Sequence, residues 1–209
     1  MTAKILHEQY NIKCNLTLIF STVQGITCAQ NSIHLISPFP GRILDYYNQK
    51  LQRTSVVDPD DDEGVIACTY MYQYFKYYNH TTICMPASWR PSRGGKLYEL
   101  DEIQALAGTD RMTIPVPLLA QLIQNEEPLP RKLFPYDHSL SSTMPLPIPE
   151  LMGNGQITEN EFRYLMTMDG CGNDKLAEGI RSFCQLTEQL QVVMTEKVRS
   201  YILEKTNSK

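Results

Sequence analysis

The sequence predicts an α/β protein with a parallel sheet, made of about four βα units and followed by C-terminal helices. Two observations carry this reading. Short apolar runs of strand length alternate with longer segments whose apolar residues recur three and four apart. The order strand then helix repeats along residues 1–125, and strands joined through helices pair in parallel. A third observation bounds the class. Of 209 residues, 42% are hydrophobic and 20% charged, which excludes a chain disordered throughout.

Taken in order, residues 2–9 read as a short helix, and residues 14–21 (CNLTLIFS) as the first strand. Residues 22–31 follow as a helix. Residues 33–37 (IHLIS) are the second strand, ended by Pro38. Over 41–53, Ile43, Leu44, Tyr47 and Leu51 fall on one helix face. The acidic stretch 58–63 reads as a cation site or as a cap for the helix behind it. Acidic side chains suit a helix's positive end, which favours the cap. That helix, 65–78, carries Val65, Cys68, Met71, Tyr72 and Phe75 on one face. A third strand covers 82–85 (TICM), and a helix covers 97–106 with a stop at Gly108. A fourth strand covers 111–114 (RMTI), and a fourth helix, 117–124, opens on Pro117.

Four βα units are half of an eight-stranded barrel, so residues 1–125 are expected to form a partial (β/α)8 TIM barrel. Half a barrel leaves two sheet edges to be covered by another segment, another chain or a second copy. Residues 126–157 form a linker punctuated by Pro128, Pro130, Pro135, Pro145, Pro147 and Pro149. Residues 158–209 are expected to be helices docking on the barrel. Thr158 and Glu161 have capping-box spacing for a short helix to 166. A long helix over 174–204 carries Leu176, Ile180, Phe183, Leu190, Met194, Val198 and Tyr201 as an apolar stripe. Docking on the body is preferred over pairing with a partner helix, because Thr187 interrupts the stripe.

Charge and motifs narrow the function. A net charge of -4 with pI about 5.6 argues against nucleic acid as a partner. No apolar run approaches the roughly 18 residues of a membrane span, and residues 1–10 lack a secretory apolar stretch, so the expected location is cytoplasmic. The six cysteines form no C-x-x-C pair and read as free thiols. The glycosylation triplets at Asn15 and Asn79 read as chance matches without a secretory signal. Residues 150–161 (ELMGNGQITENE) have the Gly155, Ile157 and Glu161 spacing of a calcium loop. Met152 stands at a ligand position and prolines occupy the place of the entering helix, so no metal is expected. No cofactor is expected either.

Five segments together resemble the transaldolase family. They are CNLTLIFS at 14–21, LISPFPGRILD at 35–45, MPASWR at 85–90, LAGTDRMTI at 106–114, and the tail segments EFRY at 161–164 and KLAEGIRSF at 175–183. In order and spacing they match the fifth to eighth strands of the family's barrel and its C-terminal helices. The resemblance implies transfer of a dihydroxyacetone unit between sugar phosphates through a lysine Schiff base, as in pentose phosphate metabolism. It gives Asn15 the role of holding the Schiff-base intermediate and Thr17 that of ordering a water, as catalytic residues. It makes Ser37 and Phe39 lining residues of the substrate channel. It makes Arg42 and Arg90 the clamp on the terminal phosphate, with Ser88 adding a hydroxyl. A guanidinium fork suits phosphate oxygens and stays charged at any working pH. Read without the resemblance, Asn15 could end a ladder, Arg42 could pair with Asp45, and Arg90 could be a loop charge.

The resemblance also places the family's lysine and its two carboxylates upstream of Met1. Lys4 falls past the catalytic position. Lys13, Lys50, Lys76, Lys96 and Lys132 lie in polar segments, helices or loops, whereas a Schiff-base lysine needs a desolvating pocket. Pro40, Pro86 and Trp89 stand where the family carries a small apolar residue, a glycine and a phenylalanine. Residues 91–97 lengthen the loop after the third strand. Two readings follow. One is a transaldolase-like protein of sugar-phosphate metabolism. The other is a catalytically inactive sugar-phosphate-binding or interaction protein, accessory to a specialised pathway. Sugar phosphates are the expected ligands, and a homodimer or a complementing barrel half the expected assembly.

Overall fold

The computed structural model describes residues 2–135 and 156–207. The linker's residues 136–155, with most of the calcium-loop-like segment, lie outside them. The chain forms two compact units, Met1–Lys175 and Leu176–Lys209. In the first, helix α1 (Thr2–Tyr10) precedes strand β1 (Asn15–Ile19), helix α2 (Thr22–Gln30), strand β2 (Leu35–Pro38) and helix α3 (Pro40–Lys50). Helix α4 (Glu63–Tyr77), strand β3 (Ile83–Cys84), a 3-10 turn (Lys96–Tyr98), helix α5 (Asp101–Ala105), helix α6 (Val116–Gln124) and helix α7 (Glu159–Met168) follow. Helix α8 (Gly170–Asn207) begins in this unit and supplies the described part of the second, where Ile180, Phe183, Leu190 and Met194 recur along one face.

The fold is mixed α/β with a three-stranded parallel sheet in the order β1-β2-β3. Asn15 stands beside Leu35, and Leu35 beside Ile83. The β1–β2 register slips between Leu16 and Ile19, where Leu18 takes φ +58°. The side chain of Gln24 spans this kink, accepting from the Phe20 N–H at 2.9 Å and donating to the Leu18 carbonyl at 3.4 Å. The first strand therefore ends at Ile19 rather than running through Ser21. Ser21 instead caps α2, accepting from the Val23 N–H at 3.2 Å.

The sheet buries one side under α2 and α4. Val65, Cys68, Met71, Tyr72 and Phe75 of α4 are all buried, as their spacing predicts. They meet Ile26, Ile36, Cys84 and Leu106 in one cluster. Burying a side chain such as Phe75 contributes about 1.5–3 kcal/mol. The acidic stretch acts as a cap: Asp62 accepts from the Gly64 and Val65 N–H groups at 2.8 and 3.3 Å. The capping box of Thr158 and Glu161 is present at the start of α7.

Three further expectations differ from the structure. The α3 stripe stops short of Leu51, which is the C-cap residue and 56% exposed. The helix expected over 97–106 is split into the 3-10 turn and α5. Leu97 is 92% exposed and so has no packing to hold it in a longer helix, while Asp101 and Glu102 are drawn inward by bonds to the preceding loop. Residues 111–114 form no regular strand. Arg111 and Thr113 donate to the carbonyls of Cys84 and Pro86 at 3.3 and 3.0 Å, but Pro86 has no N–H to continue the ladder.

Candidate functional site

The end of β2 and the loops after β2 and β3 carry Ser37, Phe39, Arg42, Ser88 and Arg90, whereas Asn15 opens β1 and Thr17 lies within it. Asn15 and Thr17 are both exposed, on the same face of β1, because side chains alternate along a strand. The buried Ser37 hydroxyl of β2 donates to Asn15 Oδ1 at 3.0 Å. That contact orients the Asn15 amide through its oxygen. Among the described residues the Thr17 hydroxyl makes no side-chain hydrogen bond.

The β2–α3 turn supplies the next pair. Phe39 is buried and packs edge-on against Phe20 at 5.7 Å between ring centres. Pro40 opens α3, a position that suits its missing N–H. Arg42 lies in the first turn of α3 with its guanidinium 4.9 Å from the Phe39 ring centre. No ion pair of Arg42 is found among the described residues. Asp45, one turn on, is engaged by Arg90: Nε donates to Asp45 Oδ2 at 3.1 Å and Nη2 lies 3.0 Å from it. The alternative pairing of Arg42 with Asp45 is therefore not the one formed. Both partners of the Arg90 pair are about 40% exposed, so it is worth about 0–1 kcal/mol.

Gly41 explains how the two loops approach. A Cβ there would lie 2.4 Å from the Ser88 carbonyl oxygen, 2.6 Å from Arg90 Cγ and 2.9 Å from Arg90 N. Only a residue without Cβ lets α3 start against the loop after β3. Within that loop Ser88 has φ +68°, and the Trp89 ring N–H donates to the Thr113 carbonyl at 2.7 Å. Arg90 Nη1 donates to its neighbour's carbonyl, that of Trp89, at 3.0 Å. The longer loop is thus tied down rather than loose.

Three buried acidic residues, which the sequence reading did not single out for this role, hold it. Glu102 Oε2 accepts from the Arg90 backbone N–H at 2.6 Å. Asp62 Oδ2 accepts from the Ser92 hydroxyl at 2.6 Å. Asp101 accepts from the Arg93 backbone and guanidinium at 2.6–3.1 Å. Burial pushes the Glu102 carboxyl up to about 9, with the nearby Asp62 charge adding to the effect. Burial also raises Asp62, against the pull of its Ser92, Val65 and Gly64 bonds. A signal for Glu102 was available in the sequence: it lies four residues before Leu106 and so on the same helix face.

Asn15 and Ser37 are therefore in contact, and Arg42 and Arg90 flank Gly41. Thr17 within β1 and Ser88 in the loop after β3 make no hydrogen bond to the others among the described residues. Among the described residues no lysine is buried, and no group of three or more His, Cys, Asp or Glu residues is arranged to hold a metal ion. No described helix is long and apolar enough to cross a membrane.

Known proteins carry the same sequence pattern. The family model for transaldolase/fructose-6-phosphate aldolase matches residues 2–193. A transaldolase of Alteromonas mediterranea is 40% identical over 191 residues, covering 91% of this chain and 54% of that protein. Transaldolases of Actinobacillus succinogenes and Haemophilus ducreyi are each 41% identical, over 91% and 94% of this chain and 54% and 55% of their own lengths. The chain thus spans about half the length of the curated relatives it matches. With that match running from α1 well into α8, the chain belongs to the transaldolase/fructose-6-phosphate aldolase family.

Proposed function

We propose that this chain binds a sugar phosphate on the sheet face that carries Asn15 and Ser37 and at the loops after β2 and β3, with Arg42 and Arg90 on the phosphate and Asn15 and Ser37 on the sugar hydroxyls. The observation that carries this is the pinching of two arginine-bearing loops at Gly41, four residues after Ser37 with its hydrogen bond to Asn15. Arg42 adds its charge to the positive end of α3, where backbone N–H groups favour an anion. Thr17 shares the face of Asn15 and would order a water. Phe39 would wall the channel, and Ser88 would add a donor beside Arg90. Residues 1–125 act in this reading as half of a (β/α)8 barrel, 126–157 as a linker and 158–209 as helices docking on the barrel. Its setting is cytoplasmic pentose phosphate metabolism, and its family reaction is dihydroxyacetone transfer through a lysine Schiff base. Calorimetric titration with fructose 6-phosphate and inorganic phosphate tests the binding. Loss of both heats in Arg42→Gln and Arg90→Gln supports it, and unchanged heats in both variants refute it.

Catalysis is the part of this reading that needs groups beyond those named. A Schiff-base lysine requires a desolvating pocket that keeps its amine neutral, and no described lysine is buried. This favours a second reading, that the chain by itself is a sugar-phosphate-binding or interaction protein without transaldolase activity. The strand β1 is paired on one side only among the described residues, which supports association with a complementing barrel half or a second copy. Borohydride trapping with fructose 6-phosphate separates the readings: an adduct on a lysine of this chain would sink the inactive one. Light scattering that finds a monomer would count against self-association.

A further inference from the structure

Glu102 is 0% exposed, and its Oε2 accepts from the Arg90 backbone N–H at 2.6 Å. Its Oε1 is buried and has no hydrogen-bond partner among the described residues. The carboxyl therefore spends its one strong protein contact on the residue that carries the guanidinium. Gly41 bounds the same residue closely, since a Cβ there would meet Arg90 N at 2.9 Å and Arg90 Cγ at 2.6 Å. Further along, Asp62 fixes Ser92 and Asp101 fixes Arg93. Among the described residues, Glu102 supplies the side-chain hydrogen bond to the Arg90 backbone. At the outer end of the side chain, the Asp45 contact is a half-exposed ion pair, and such pairs hold geometry weakly.

We propose that Glu102 is a positioning residue for the anion site: its hydrogen bond to the Arg90 backbone fixes the height of the loop above Gly41 and so the place of the guanidinium. Because burial keeps the carboxyl protonated at neutral pH, the group works as a neutral acceptor, and an amide oxygen can replace it. A half-exposed arginine is a poor anion ligand unless its backbone is fixed, since the anion must otherwise order it on binding. Glu102 thereby prepares the site without touching the ligand. This inference rests on the reading of Arg90 as a phosphate ligand.

The test uses the full chain with four variants. Glu102→Met keeps the volume and removes the acceptor, Glu102→Gln keeps the acceptor, and Arg90→Gln removes the guanidinium. Two readouts apply: calorimetry with inorganic phosphate, and amide hydrogen exchange at Arg90 by NMR together with its Nε–H signal. Glu102→Met is expected to lose Arg90 amide protection and to weaken phosphate binding about tenfold, the scale of one hydrogen bond's net contribution. Glu102→Gln is expected to retain both. Phe75→Leu, a change in the core beneath the sheet, is expected to lower stability and leave phosphate affinity unchanged, so that lost affinity in Glu102→Met is separated from a general loss of stability. A folded Glu102→Met chain with wild-type phosphate affinity, alongside loss in Arg90→Gln, overturns the positioning role alone. Absence of phosphate binding in the wild type overturns the site reading and this inference with it. If Glu102→Met does not fold, Glu102→Gln decides: loss of Arg90 protection in it overturns the proposal, and retention with full affinity supports it.

Discussion

Replacing Glu102 by Gln should change how stability depends on pH. The carboxyl is fully buried, and burial, reinforced by the Asp62 charge, moves it from 4.5 up to about 9. Between those values the folded chain keeps a proton that the unfolded chain has released. Stability from this group is thus fully present below pH 4.5 and is lost as pH rises to about 9. At 1.36 kcal/mol per pH unit the whole effect is on the order of 6 kcal/mol, with roughly 3 kcal/mol gone by pH 7. Contacts from Arg90 oppose the rise. The Glu102→Gln chain has no group to titrate there. Urea unfolding at several pH values from 5 to 9, on wild type and variant, checks this. The wild type should lose stability relative to the variant by a few kcal/mol across that range, since one fully buried carboxyl carries the difference. Two parallel curves, agreeing to within about 0.5 kcal/mol, would refute a buried, proton-holding Glu102.

Further outcomes follow from the same geometry. Gly41→Ala places a Cβ against the Ser88 carbonyl and the Arg90 backbone, neither of which can rotate away, and should cost about 1–3 kcal/mol in a urea titration while weakening phosphate binding. Phe75→Ala empties a site that is 0% exposed and should cost about 3–5 kcal/mol by the same measurement. Asp62→Ala removes the α4 cap and strands the Ser92 hydroxyl, for a loss of about 2–4 kcal/mol, whereas Asp62→Asn should retain most of the cap. Cys68 and Cys84 are buried with their thiols pushed up by burial, Cys84 to about 12, so a maleimide probe read by mass spectrometry should leave both unlabelled in the native chain.

Much of the fold was legible in local patterns. The α4 face of Val65, Cys68, Met71, Tyr72 and Phe75 is set by helical period alone, and all five are buried. The Thr158–Glu161 capping box and the Asp62 cap need only neighbours within four residues, and both formed as their spacing implies. Where the reading failed, a distant partner had intervened. The segment at 111–114 met a proline on the neighbouring chain segment and could not complete its ladder. The helix over 97–106 was divided because Asp101 and Glu102 bonded to the loop at residues 90–93.

The candidate site divides the same way. By itself the sequence determined which strand ends and turns carry polar and cationic side chains, because strand and helix periods fix the face on which each residue lies. The family, too, was readable there, through five segments in order. Only the tertiary structure decided who meets whom: Ser37 with Asn15, Arg90 with Asp45 instead of Arg42 with Asp45, and Glu102 beneath the Arg90 backbone. Those contacts join residues 12 to 45 positions apart. They depend on the sheet register, on the close approach at Gly41 and on the desolvation of a carboxyl, none of which any short stretch of sequence contains.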